Sequence, residues 1–232
     1  MITLAFRKLF IVLLFAGLLQ MPALAQNAPS ANEVTGYSGL FKAVLEQDVT
    51  VITQAIQGSS NIDLRDSYGR TALHVATYAG NQVAMKLLVK AGADPNALEH
   101  DRYDMVTIAA VANDLSTMQL AIKLGNKPGN MTSPYDGTAL IAAAHLGHVE
   151  VVKTLIHSGA ALDHINNLEW TALIESIVLG DGGARHTTVL KALVDAGANV
   201  NLADGRGDTP LTLARQRGYT NMVDILKKAG AK

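Results

Sequence analysis

The sequence predicts an all-α solenoid of stacked helix–turn–helix units. Three observations carry that expectation. First, one opening element recurs: Thr71-Ala-Leu-His-Val-Ala76, Thr138-Ala-Leu-Ile-Ala-Ala143, Thr171-Ala-Leu-Ile-Glu-Ser176 and Thr209-Pro-Leu-Thr-Leu-Ala214, with a weaker copy at Met105-Val-Thr-Ile-Ala-Ala110. Starts at 71, 105, 138, 171 and 209 are spaced 34, 33, 33 and 38 residues apart. Second, one closing element recurs, from Leu88-Val-Lys-Ala-Gly-Ala-Asp94 through Leu155-Ile-His-Ser-Gly-Ala160 and Leu193-Val-Asp-Ala-Gly-Ala-Asn199 to Leu226-Lys-Lys-Ala-Gly-Ala231. Third, the segment between them is amphipathic at helical spacing; in Val149 to His157, Val151, Val152, Leu155 and Ile156 share one face. A unit this short cannot bury its own apolar face, so neighbours must stack into one elongated core.

The chain opens differently. Arg7 and Lys8 precede an apolar run from Leu9 to Leu19, followed by Pro22, Ala23-Leu24-Ala25 and Gln26. A positive start, a short apolar stretch and an A-x-A site are the parts of a secretory signal peptide over residues 1–25. The run is shorter than the roughly 20 residues a membrane span needs. Cleavage after Ala25 leaves no stable anchor and directs the chain to the bacterial periplasm, with secretion as the alternative. Residues 26–37 are small and polar and read as a flexible lead-in. The remainder divides into a capping repeat at 38–65, full copies at 66–100, 101–133, 134–166 and 167–204, and a C-terminal capping repeat at 205–232.

Each element has a local cause. Thr71, Thr138, Thr171 and Thr209 offer a hydroxyl to free N–H groups at a helix start. Ala76, Ala110, Ala143, Ser176 and Ala214 keep one position small, so that first helices can approach closely. Gly80 and Gly147 end that first helix. The second copy departs, with Met105-Val106 in place of Thr-Ala, and reads as the least regular. The fourth copy carries about five extra residues in Gly180 to His186 between its helices.

Composition excludes several functions. The chain has 232 residues, 49% hydrophobic, 17% charged and 5% aromatic, so it can fold around Ala, Leu, Val and Ile. Beyond residue 25, seventeen basic side chains face twenty acidic ones, a net charge of −3. That balance excludes a broadly basic nucleic-acid binder. With no Cys there is no disulfide, thiol nucleophile or Cys-ligated metal. Neither G-x-S-x-G nor G-x-x-x-x-G-K-[ST] occurs. His145 and His148 form only a pair, whereas a metal site needs three or four converging ligands. The reading is therefore of a non-enzyme with no metal, cofactor or catalytic residue. Arg206-Gly207-Asp208, an adhesion-like triplet, falls at a repeat turn.

The opening element, Gly147-His148-Val149-Glu150-Val151-Val152 and the close at Gly92 to Asn96 resemble the ankyrin-repeat family, over residues 38 to 232. The resemblance implies a curved solenoid with short β-turn fingers that binds a protein partner through its fingers and concave face. It also implies structural roles for His74 and His148. Carried over position by position, the binding residues are Tyr68, Arg70, Tyr78, Arg102, Tyr135, His145, Trp170, Val178, Leu179 and Arg206. The single Trp and three of six Tyr fall in this set, and Trp, Tyr and Arg dominate binding hot spots. Trp170 with Leu168, Val178 and Leu179 would make an exposed apolar patch; the competing expectation has Trp170 folded onto the loop at 180–186. Two narrower roles are compatible with such a protein: accessory to a periplasmic enzyme, for example in peroxide defence, or immunity to a periplasmic toxin. A metal-binding or enzymatic protein built on His145 and His148 is the different class.

Overall fold

A computed structural model describes residues 28–232. The signal segment lies outside the described residues. Among these there are thirteen helices and no strand beyond isolated bridges at Arg65–Thr71 and Thr132–Gly137. A short α1 (Ala31–Gly36) precedes six helix pairs: α2 (Gly39–Glu46) and α3 (Val49–Gln57), α4 (Ala72–Tyr78) and α5 (Gln82–Lys90), α6 (Met105–Val111) and α7 (Leu115–Lys123), α8 (Ala139–Leu146) and α9 (Val149–His157), α10 (Ala172–Val178) and α11 (Ala184–Asp195), and α12 (Pro210–Gln216) and α13 (Thr220–Lys228). The first helices pack in one row, each on the next, and the second helices in another. One apolar cluster runs between the rows, from Phe41 and Val44 to Met222 and Leu226.

The caps explain where the first helices start. Thr71, Thr138, Thr171 and Thr209 each accept a backbone N–H from three residues on. In the second copy that role falls to Asp104, whose Oδ1 accepts from Thr107 N at 2.9 Å. The repeat therefore starts at 71, 104, 138, 171 and 209, with spacings of 33, 34, 33 and 38. This corrects the alignment on Met105 by one residue. Ala109, not Ala110, then matches Ala76, Ala143, Ser176 and Ala214, and all five are buried. Nor is the second copy irregular: α6 and α7 have seven and nine residues, as α4 and α5 do. Its unusual close is a buried polar network. Asp104 Oδ2 accepts from Asn126 Nδ2 at 2.8 Å and Asn130 Nδ2 at 2.9 Å, and Asn126 Oδ1 accepts from Val106 N at 2.7 Å.

His74 is buried, with Nδ1 on Thr71 and Nε2 on the carbonyls of Ala97, at 3.0 Å, and Tyr103, at 3.2 Å. His148 holds the Ala110 carbonyl through Nδ1 at 3.0 Å. Both tie a helix to a neighbouring repeat rather than converging on a metal.

Two segments differ from expectation. Residues 31–36 form α1, closed by a capping box between Ser30 and Glu33, where a flexible lead-in was expected. Its Glu33 reaches Arg70, and Tyr37 donates to Asp66 Oδ2 at 2.7 Å. The inserted residues 180–186 are also ordered. Ala184 to His186 extend α11 to twelve residues. His186 joins Asp181 Oδ1 at 2.7 Å and the His145 carbonyl at 2.8 Å, while Tyr219 Oη donates to the Gly180 carbonyl at 2.9 Å.

Asp104 satisfies three donors and Thr138 only one backbone N–H. Asp104→Ala is expected to lower unfolding free energy by about 2–4 kcal/mol and Thr138→Ala by about 1 kcal/mol. Urea denaturation of the two variants checks the order; equal losses would show that the second copy is not held by this network.

Candidate functional site

Every finger closes on one side chain. Asp66 Oδ1 accepts from Tyr68 N and Arg70 N, both at 2.9 Å. Ser133 Oγ, Asn166 Oδ1 and Asp204 Oδ1 do the same for the backbone two and four residues on, and Glu99 divides the task, Oε2 accepting from Asp101 N and Oε1 from Tyr103 N. The fourth finger residue is left-handed in all five copies. Gly69 and Gly207 take this position at φ 73° and 83°, but Arg102, Asp136 and Glu169 hold it at 66°, 53° and 63°. Non-glycine residues are costly there, and the two anchored N–H groups over-determine the turn. Neighbouring fingers are joined by backbone bonds, His100 N to Tyr68 O at 3.0 Å and Asn167 N to Tyr135 O at 2.9 Å. The third and fifth finger residues are thereby presented at fixed places along the stack.

Beside these fingers, over α6, α8 and α10 and the end of α12, lies a recess of about 400 Å3. Six of the ten sequence-predicted residues line it: Tyr135, His145, Trp170, Val178, Leu179 and Arg206. Tyr103 and Leu168 join them. The patch expected around Trp170 is thus a hollow. Val178 is buried at its floor, Trp170 and Leu179 are half-buried, and Leu168 and Tyr135 stand exposed at its rim. Trp170 packs toward the core and the recess, and the inserted loop is held by His186 and Tyr219 instead.

The other four residues lie outside the lining. Arg70 is not a surface residue at all. It is fully buried, paired with Glu33 and with Asp66 at 2.7 Å, and its guanidinium lies 4.6 Å from the Tyr68 ring centroid. Its charge fastens α1 to the first finger, so it is unavailable to a partner. Tyr78 is half-buried with its hydroxyl shut away from solvent. Arg102 pairs with Asp136 of the next finger and holds the left-handed position, so the residue equivalent to Arg70 and Trp170 is buried Tyr103. Tyr68 is exposed at the first finger.

Sequence reasoning missed Glu175. It is 4% exposed and lines the recess. Its Oε1 accepts from Asn166 Nδ2 at 3.0 Å; its Oε2 is buried without a hydrogen bond, with His145 Nδ1 3.5 Å away. Burial pushes the Glu175 carboxyl up to about 7, against the Asn166 donor. Burial also pushes the His145 imidazole down to about 4. A signal was present in the sequence: the matching residues are Val75, Ile108, Ala142 and Leu213.

A helical repeat solenoid whose fingers each rest on one polar side chain, and whose variable residues gather over its first helices, defines a class of binding scaffold. Comparison with known proteins gives the family. A model described as ankyrin repeats (3 copies) matches residues 9–99 and 106–204, and the chain belongs to the ankyrin-repeat family. The Escherichia coli (strain K12) ankyrin repeat protein YahD is 31% identical over 191 residues, 82% of this chain and 94% of that one. An ankyrin repeat domain from Acinetobacter baumannii superposes with a TM-score of 0.77 at 42% identity, covering 83% of this chain and 98% of the other. The ankyrin repeat domain of Bcl-3, a member of the IkappaB family, gives 0.75 at 26% identity, over 85% and 88%. The chain spans less than half the length of seven further curated relatives. Ankyrin repeats generally mediate contacts between proteins.

The Glu175 carboxyl makes stability depend on pH in a defined sense. Its folded value, about 7, lies above its ordinary 4.5, so the native chain holds the extra proton between them. The stability it contributes is full below 4.5 and is lost as pH rises through 7. Glu175→Gln keeps an acceptor for Asn166 and removes the charge. Denaturation at pH 4.5 and pH 8 is expected to show no gain at the lower pH and up to about 3 kcal/mol at the higher. An equal gain at both would mean that Glu175 titrates as an exposed acid.

Proposed function

We propose that this chain is a non-enzymatic binding protein that holds a protein partner over the recess and its fingers, and that it works in the bacterial periplasm after removal of residues 1–25. The observation that carries the binding reading is the recess itself. Three successive copies supply it with Tyr135, Trp170 and Arg206 from fingers and His145, Val178 and Leu179 from the first helices and their ends, at positions that differ from copy to copy. Such a hollow, apolar and rimmed by aromatic groups, is the form in which binding hot spots are found. The Arg7–Lys8 start, short apolar run and Ala23–Leu24–Ala25 site support export. Among the described residues no helix is long and apolar enough to cross a membrane.

Two experiments test this. The mature N-terminus, sequenced from protein recovered in the periplasmic fraction, is expected at Gln26; recovery of an intact Met1 chain in the cytoplasm would overturn the export reading. For binding, a pull-down from periplasmic extract is compared between the parent and a Trp170→Ala, Tyr135→Ala variant with unchanged helical signal and melting. A partner retained by the parent is expected to bind the variant at least tenfold more weakly. Equal retention by both would move the binding surface away from the recess.

A further inference from the structure

We propose that the recess takes the cationic end of a lysine or arginine side chain of the protein partner, with Glu175 Oε2 as its anionic counterpart and Trp170 as an aromatic wall. The inference rests on the partner-binding reading above and adds the chemistry of the group inserted.

Glu175 is an acid that the repeat architecture does not require. At the fifth residue of the opening element, Val75, Ile108, Ala142 and Leu213 are apolar in the other copies. Only the fourth copy has an acid there, with its side chain 5% exposed. A buried carboxyl with an unmade hydrogen bond costs stability, so the residue is not explained by packing. Asn166, the residue that organises the Trp170 finger through its Oδ1, uses its Nδ2 to hold Glu175 Oε1. The carboxyl is thereby fixed, and Oε2 is left as a buried acceptor at the recess wall.

A cation is the occupant that matches Glu175, while the other charged residues of the lining balance two against two. His145, on the preceding first helix, is kept neutral by burial, with His186 behind it adding to the effect. Glu169 and Asp204 also line the recess. Arg206 and Arg217 are its basic residues, and Arg206 reaches Asp204 at 3.6 Å. Trp170 supplies the ring on which a guanidinium or ammonium gains most. At about 400 Å3, the recess lies within the range of roughly 300–1,000 Å3 that holds bound groups of this size. A cation drawn to ionised Glu175 must displace its proton, so binding strengthens with pH until the carboxyl is ionised on its own.

Trp170 is the chain's single Trp, so fluorescence reads this site alone. The protein as purified, with the N-terminus its processing leaves, is titrated with N-acetyl-arginine amide and N-acetyl-lysine amide, and with the neutral citrulline and norleucine amides. The cationic probes are expected to saturate the Trp170 response at millimolar concentration, at least tenfold more tightly than the neutral ones. Glu175→Gln is expected to remove that preference. Affinity of the parent for the arginine probe is expected to fall up to tenfold per pH unit below 7. Equal binding of norleucine or citrulline amide, an unchanged preference in Glu175→Gln, or no response to any probe overturns the proposal. If Glu175→Gln does not fold, the pH dependence of the arginine probe on the parent decides, and a flat profile overturns it. Pull-down with Glu175→Gln separates the two readings. A partner lost by the Trp170 and Tyr135 variant but kept by Glu175→Gln removes the cation while leaving the recess as the site. A partner kept by both variants removes the recess as its site, and the probe titrations still report its chemistry.

Discussion

The closeness of successive first helices governs this molecule. Ala76, Ala109, Ala143, Ser176 and Ala214 sit buried at the same place in five copies. A larger side chain there would force the helices apart, at a typical overpacking cost of about 1–3 kcal/mol. Because the helices meet at one small residue, their starts fall in register, and so do the fingers before them. A change in that spacing would open the apolar column between the helix rows and separate the residues that share the recess. No single copy can make either feature alone.

On this frame, two kinds of polar group do different work. Capping oxygens, finger oxygens, His74 and His148 satisfy backbone groups that would otherwise be buried without partners. The capping and finger oxygens recur because the backbone problem recurs. Arg70 and Glu175 are specific to one copy each. Arg70 is neutralised within the fold by Asp66 and Glu33 and holds α1. Glu175 has one donor and an unused oxygen.

The architecture was legible in the sequence because it is periodic. The Thr caps, the small residues and the amphipathic second helices each state a local rule four to six times. The register of the second copy was misread because Asp104 caps as well as Thr does, and a search for Thr-Ala settles on Met105 instead. Six residues that line the recess are among those the family resemblance singles out, since each copy presents the same finger and helix sites. Arg70 was placed on the surface because its partners, Glu33 and Asp66, come from a separate helix and the opposite side of the finger. Glu175 was passed over because a carboxylate inside a helical motif looks solvated until its neighbours are known. The contrast with Val75, Ile108, Ala142 and Leu213 was the available clue.

The binding role proposed for the recess depends on whether Glu175 is buried in the wall it shares with Trp170. The direct measurement is the titration of its side-chain carboxyl carbon by NMR, assigned by comparison with Glu175→Gln. A midpoint near 7 is the predicted result. A midpoint near the ordinary 4.5 would place the carboxylate in water and contradict the recess as a site built for a charged guest.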